Sequence, residues 1–156
     1  MKEFQCAGAP RLFFQPFFHV SDGATLEIPP LMTHSIICDR AFEFACRILK
    51  LSERIAPRGL AARHVAWQLV RCGTSIGSNA EEAQEGQSKA DFVAKLSISR
   101  KEARETVWWL RVALKISVVT SDEIEWELGE ANQLRAMIIS AIRTARSSSY
   151  RGSASG

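Results

Sequence analysis

The chain has 156 residues, 46% of them hydrophobic and 24% charged, with a formal net charge of +3. That length and balance suit one globular domain able to bury a sizeable core, and no run reaches the roughly 18 apolar residues of a membrane span. The charge is uneven: residues 1–34 carry −1, residues 35–120 carry +5 and residues 121–156 carry −1. Cysteines 6, 38, 46 and 72 form no CxxC pair, and Cys38 and Cys46 stand eight residues apart on one predicted helix, about 12 Å of rise, which a disulfide cannot bridge. Reduced thiols in a cytoplasm are the expectation.

Residues 1–33 differ from the rest, holding four of the five prolines and five of the eight phenylalanines without a helical period. The Leu12–Val20 run is broken by Gln15, Pro16 and His19, so it is a poor secretory signal. The stretch reads as a poorly ordered leader that the fold does not need; the competing reading is an aromatic docking segment.

The first helix is predicted from Ser35 to Ala56, where Ile37, Ala41, Phe44, Ile48, Leu51 and Ile55 step by four and three in a heptad seam. Pro57-Arg58-Gly59 ends it. A second helix follows from Leu60 to Ala83, with Val65, Leu69, Cys72, Ile76, Ala80 and Ala83 on one face. Gly73 and Gly77 lie on a flank of that face, each costing roughly 1 kcal/mol of helix propensity relative to Ala. Their expected return is the close approach of a neighbouring helix.

Ser88 with Asp91 three residues on makes a capping-box-like start for a third helix reaching Ile116. At 100° per residue, Phe92, Leu96, Ser99, Ala103, Thr106, Leu110 and Ala113 form its core face. A second stripe of Ile98, Glu105, Trp109, Val112 and Ile116 lies about 100° around, making the helix too apolar for one seam. Either the bundle face is wide or Ile98, Trp109, Val112 and Ile116 form a subunit interface. Thr120 and Glu123 repeat the start signal, and Asp122, Glu123, Glu125 and Glu127 load the first turns of a fourth helix ending near Arg146. Four helices with short connections predict an all-α, up-down-up-down antiparallel four-helix bundle over residues 34–147, followed by a flexible Ser/Gly tail at 148–156.

Enzyme chemistry has little to stand on. The inward Glu-x-x-His pairs of a carboxylate-bridged metal bundle are missing, Ser75 and Ser78 lack a base and an orienting acid, and Gly73 and Gly77 sit inside a helix rather than in a phosphate-cradling loop. Neither a metal nor a cofactor is expected.

The third helix does carry a single-signed line. Lys89, Arg100, Arg104, Arg111 and Lys115 fall in one sector without an acid, over about 39 Å of helix. A solvated face normally mixes signs and holds Glu-Lys pairs four apart, whereas an unmixed line suits a phosphate backbone. Arg47 and Arg54 add a rougher line on the first helix. A solvated face and a polyanion surface are the two readings.

The motifs Ser75-Ile76-Gly77-Ser78-Asn79-Ala80-Glu81-Glu82-Ala83, Ser88-Lys89 with Asp91-Phe92, and Lys101-Glu102-Ala103-Arg104-Glu105-Thr106 with Trp109-Leu110 resemble a family of four-helix-bundle proteins. That family was first noticed in intervening sequences of bacterial ribosomal RNA genes. It includes the accessory variability protein of diversity-generating retroelements. The resemblance covers residues 35–146 and implies a homo-oligomer, pentameric in the retroelement branch, with a basic surface that binds nucleic acid and a reverse transcriptase. Ribosomal-type members tend to have Ile-Ala-Glu-Gly where this chain has Ala80-Glu81-Glu82-Ala83, and Gly-Ser at Lys101-Glu102, which favours the Lys-Glu-Ala-x-Glu-Thr branch without deciding its partner. Asn79, Glu102 and Glu105 are expected to make fold-specifying polar contacts, Asn79 across helices and Glu105 to Arg71 or to another subunit's arginine.

Overall fold

The computed structural model describes residues 35–147, so the leader expected at 1–33 and the tail expected at 148–156 lie outside the described residues. Four helices follow in order: α1 Ile36–Ile55, α2 Leu60–Gln84, α3 Lys89–Lys115 and α4 Ser121–Ser147, with a short 3-10 turn at Ala56–Arg58 before α2. Each helix packs on its neighbours in sequence, and α4 returns to α1 more loosely. Cross-helix pairs run in opposite chain directions: Gly73 meets Ile48, and Gly77 meets Ala41. Arg71 likewise reaches Glu105, and Lys95 reaches Glu82. The result is the all-α, up-down-up-down bundle that the hydrophobic periods predict.

The core seams fall where those periods place them. Ala41, Phe44, Ile48, Leu51 and Ile55 of α1 are buried against Val65, Leu69, Cys72, Ile76 and Ala80 of α2 and Leu96, Ala103, Leu110 and Ala113 of α3. Each large aliphatic side chain so placed contributes about 1.5–3 kcal/mol. Ser99 and Thr106 sit in the same face of α3, and each hydroxyl satisfies itself on a backbone carbonyl. Ser99 Oγ donates across to the Ile76 carbonyl at 2.7 Å, and Thr106 Oγ1 to Glu102 within α3 at 2.9 Å. Burial pushes the thiols of Cys38 and Cys72 up to about 11, so both are protonated and inert near neutrality.

Helix ends are closed by named groups. Ser88 Oγ accepts from the Asp91 amide at 3.1 Å, and Glu123 Oε2 accepts from the Thr120 amide at 2.9 Å. At the other end of α3, Ser117 takes a left-handed φ of 57°, and the Ser117 and Val118 amides turn back to the Leu114 and Ala113 carbonyls. That is the hydrogen-bond pair of a Schellman ending with serine in the place glycine usually takes, and it stops α3 at Lys115.

The looser α1–α4 seam is joined by arginines. Arg40 Nη2 and Nε reach the Glu130 carboxylate at 2.5 and 2.7 Å. Arg47 donates to Glu127 Oε1 at 3.0 and 3.1 Å and lies 4.1 Å from the centre of the Trp126 ring. Arg58 reaches Glu123 at 2.7 Å; with the Thr120 amide, its guanidinium holds that carboxyl down at about 2. Glu127 is itself buried, so the Arg47 charge is committed to it.

Candidate nucleic-acid interface

All five cations of the α3 line, Lys89, Arg100, Arg104, Arg111 and Lys115, are exposed. They occupy the flank of α3 that adjoins α4, because the opposite flank is taken up by α2 through Lys95 with Glu82 and through Glu102 and Glu105 with Arg71. On α4, Arg135, Ile139 and Arg143 recur every four residues with Arg146 three further on, one helical stripe that faces the same groove. Arg100, Ile139, Ile142, Arg143 and Arg146 line one recess of 500 Å³. Two helices therefore contribute to a single basic face. At its far end, beside Leu114, the groove acquires Asp122 and Glu125 of α4, so the basic character is strongest from Lys89 to Arg111.

Pairing separates this face from the seams between the helices, while among the described residues Lys50, Arg54, Arg63 and Lys101 elsewhere also lack an ion pair. Arg40, Arg47, Arg58, Arg71 and Lys95 each have a carboxylate partner. Among the described residues, Lys89, Arg100, Arg104, Arg111, Lys115, Arg135 and Arg143 have no ion pair. Within α3 the same contrast holds between Lys95, tied to α2, and Arg100 five residues later, facing outward. Of the two α1 arginines expected to extend the line, Arg47 is engaged with Glu127 and Trp126, and Arg54 is exposed on α1, which lies diagonal to α3 across the core. Neither joins the face.

Arg135 and Arg143 were not legible as site residues in the sequence. They stand singly in the α4 sequence, and only the α3–α4 register sets Arg143 beside Arg100, with Arg135 two turns back on the same stripe.

The second stripe of α3 is partly spent inside the bundle. Trp109 packs 5.5 Å from the His64 ring and donates its Nε1 hydrogen to Glu105 at 3.3 Å, and Val112 also packs on the core. Only Ile98 and Ile116 are exposed, and they stand 18 positions apart. The expected partner of Glu105 is present in the same chain: Arg71 Nη2 donates to Glu105 Oε1, and its Nη1 lies 3.6 Å from Glu102. Burial raises the Glu102 carboxyl above its ordinary value despite that arginine. Asn79 departs from expectation, since its amide donates to Ser75 O one turn back at 2.8 Å instead of crossing to another helix. A side chain that reaches its own i−4 carbonyl satisfies its donor without a partner helix.

Among the described residues there is no group of three or more His, Cys, Asp or Glu side chains fit to hold a metal ion, and no helix is long and apolar enough to cross a membrane.

The family profile described as "23S rRNA-intervening sequence protein" matches residues 33–140. A solved structure from Bacteroides thetaiotaomicron, described as a protein of unknown function from the S23 ribosomal protein family, is 34% identical with a TM-score of 0.65. The match covers 69% of this chain and 98% of that one. No curated protein matches.

Proposed function

Starting from a chain that belongs to the 23S rRNA-intervening sequence protein family, we propose a non-catalytic nucleic-acid-binding protein that grips phosphate backbones along the α3–α4 face. The observation that carries this reading is the gathering of unpaired cations: among the described residues, Arg100, Arg104, Arg111, Arg135 and Arg143 stand along the adjoining flanks of α3 and α4 without a carboxylate partner, whereas α1 and α2 leave only Lys50, Arg54 and Arg63 unpaired. Evenly spaced cations along helices suit backbone neutralisation, whereas base readout in a groove needs a compact cluster of Asn, Gln or Arg at a protruding tip. Sequence preference is accordingly weak. The motif resemblance extends the reading to a homo-oligomer that assists a reverse transcriptase in a diversity-generating retroelement.

The test compares RNA and DNA binding by the parent and by Arg100→Gln/Arg104→Gln/Arg111→Gln at low salt, with circular dichroism to confirm the bundle. The parent binds and the triple variant loses most of its affinity if the face works as proposed. Equal binding by both would make the stripe a solvated face.

A second reading, a protein-interaction bundle, is favoured by a different surface. Phe42 of α1 and Trp67 of α2 are 64% and 62% exposed, and Leu49, one heptad on from Phe42, is exposed as well. Large apolar side chains left exposed on two adjacent helices are what a protein contact would cover.

A further inference from the structure

We infer that the nucleic acid held by this face is single-stranded, with a base stacked on Trp108. The inference rests on the phosphate reading above and adds the class of strand to it. Trp108 stands on α3 between Arg104 and Arg111, with its side chain 53% exposed. It lines a recess of 560 Å³ together with Arg111, Val112, Leu114 and Lys115, so one indole and two unpaired cations converge on a space the size of a small-ligand site. No acid lines that recess.

The indole is also held in place. Its ring meets that of Trp109 edge to face, with centroids 4.5 Å apart and planes at 80°. Trp109 in turn is fixed by its hydrogen bond to Glu105, by the His64 ring of α2 and, through Glu105, by Arg71. An exposed tryptophan that does no work in the fold would be expected to lack such a chain of supports. Its orientation being set beforehand, a base that stacks on it meets a smaller entropic cost.

A duplex cannot use this arrangement, because its bases already stack on one another and present only their edges. An unpaired strand offers free π-faces to an aromatic ring and phosphates to the flanking cations, the combination that sequence-tolerant single-strand binders use. Arg111 and Lys115 are four residues, about 6 Å of rise, apart. That is close to the phosphate step of an extended strand. A base on Trp108 thus leaves its neighbouring phosphates in reach of both.

The experiment measures affinity at one low salt concentration for a mixed-sequence single strand, the corresponding duplex and an abasic strand of equal charge. The proteins are the parent, Trp108→Ala and Trp108→Phe, each checked by circular dichroism. Trp108→Ala loses about 5- to 160-fold for the single strand, the factor that roughly 1–3 kcal/mol per stacked base represents. It leaves duplex and abasic binding within about twofold, and Trp108→Phe keeps most of the single-strand affinity. A parent that binds single strand and duplex, with Trp108→Ala unchanged on both, overturns the stacking inference and leaves the phosphate reading standing. Equal losses on the single and abasic strands also overturn it, since they assign Trp108 to the shape of the face. A parent that binds none of the three overturns both.

Discussion

Arginine is used in two ways in this bundle, and a single residue shows which use applies. Arg47 and Arg54 are one heptad apart on α1 and look equivalent in the sequence, yet Arg47 completes the buried Glu127 carboxylate and lies over Trp126, while Arg54 has no partner among the described residues. Removing a partner from a buried carboxylate costs roughly 3–5 kcal/mol, and the half-exposed Arg47 side chain puts this case near or below the lower end of that range. Arg47→Met is therefore expected to lower unfolding free energy by about 2–3 kcal/mol, and Arg54→Met by less than about 0.5 kcal/mol. Urea denaturation of the two variants checks it, and similar values for both would refute the division. No pattern in the sequence separates them, because the separation comes from Glu127, 80 residues away.

At the scale of elements, the helices were legible to within a residue or two because three signals agreed: apolar period, capping pairs and the Pro57–Gly59 break. The seven core positions of α3 were readable from 100° steps alone, and only Phe92, at the open end, is half-buried. Cross-helix register was not readable, and Asn79, Trp109 and the α4 arginines all turn on it. The two glycines of α2 show why register matters for energy as well. A Cβ added at Gly73 would stand 2.8 Å from Ile48 Cγ2, a buried β-branched side chain with nowhere to go; at Gly77 the nearest atom is the Ala41 carbonyl oxygen at 3.5 Å, an ordinary contact. Replacing glycine by alanine gains roughly 1 kcal/mol of helix propensity at either site, but overpacking at the first costs about 1–3 kcal/mol. Gly77→Ala is predicted to raise the denaturation midpoint and Gly73→Ala to lower it. Shifts of the same sign would show that α1 and α2 do not approach as described.

For the whole molecule, the open matter is what covers its exposed apolar surface and what meets its unpaired charge. The resemblance implies a homo-oligomer, and Phe42, Trp67, Ile98 and Ile116 leave apolar area uncovered in one chain. Light scattering at micromolar concentration is expected to return a multiple of the 17.3 kDa chain mass, and a mass near 17.3 kDa would contradict assembly. The basic face was legible in part: the α3 line appeared in the sequence, while its extension onto α4 and the engagement of Arg47 required the folded register. The central claim, that this face neutralises phosphates, is tested most directly by the salt dependence of binding. With five contacts per engaged chain, log K against log salt should fall with a slope of about −3.5 on single strands and −4.5 on duplex, and each removed charge should flatten it by somewhat under one unit. A slope near zero for the parent, or an unchanged slope in Arg100→Gln/Arg104→Gln/Arg111→Gln, would contradict the account.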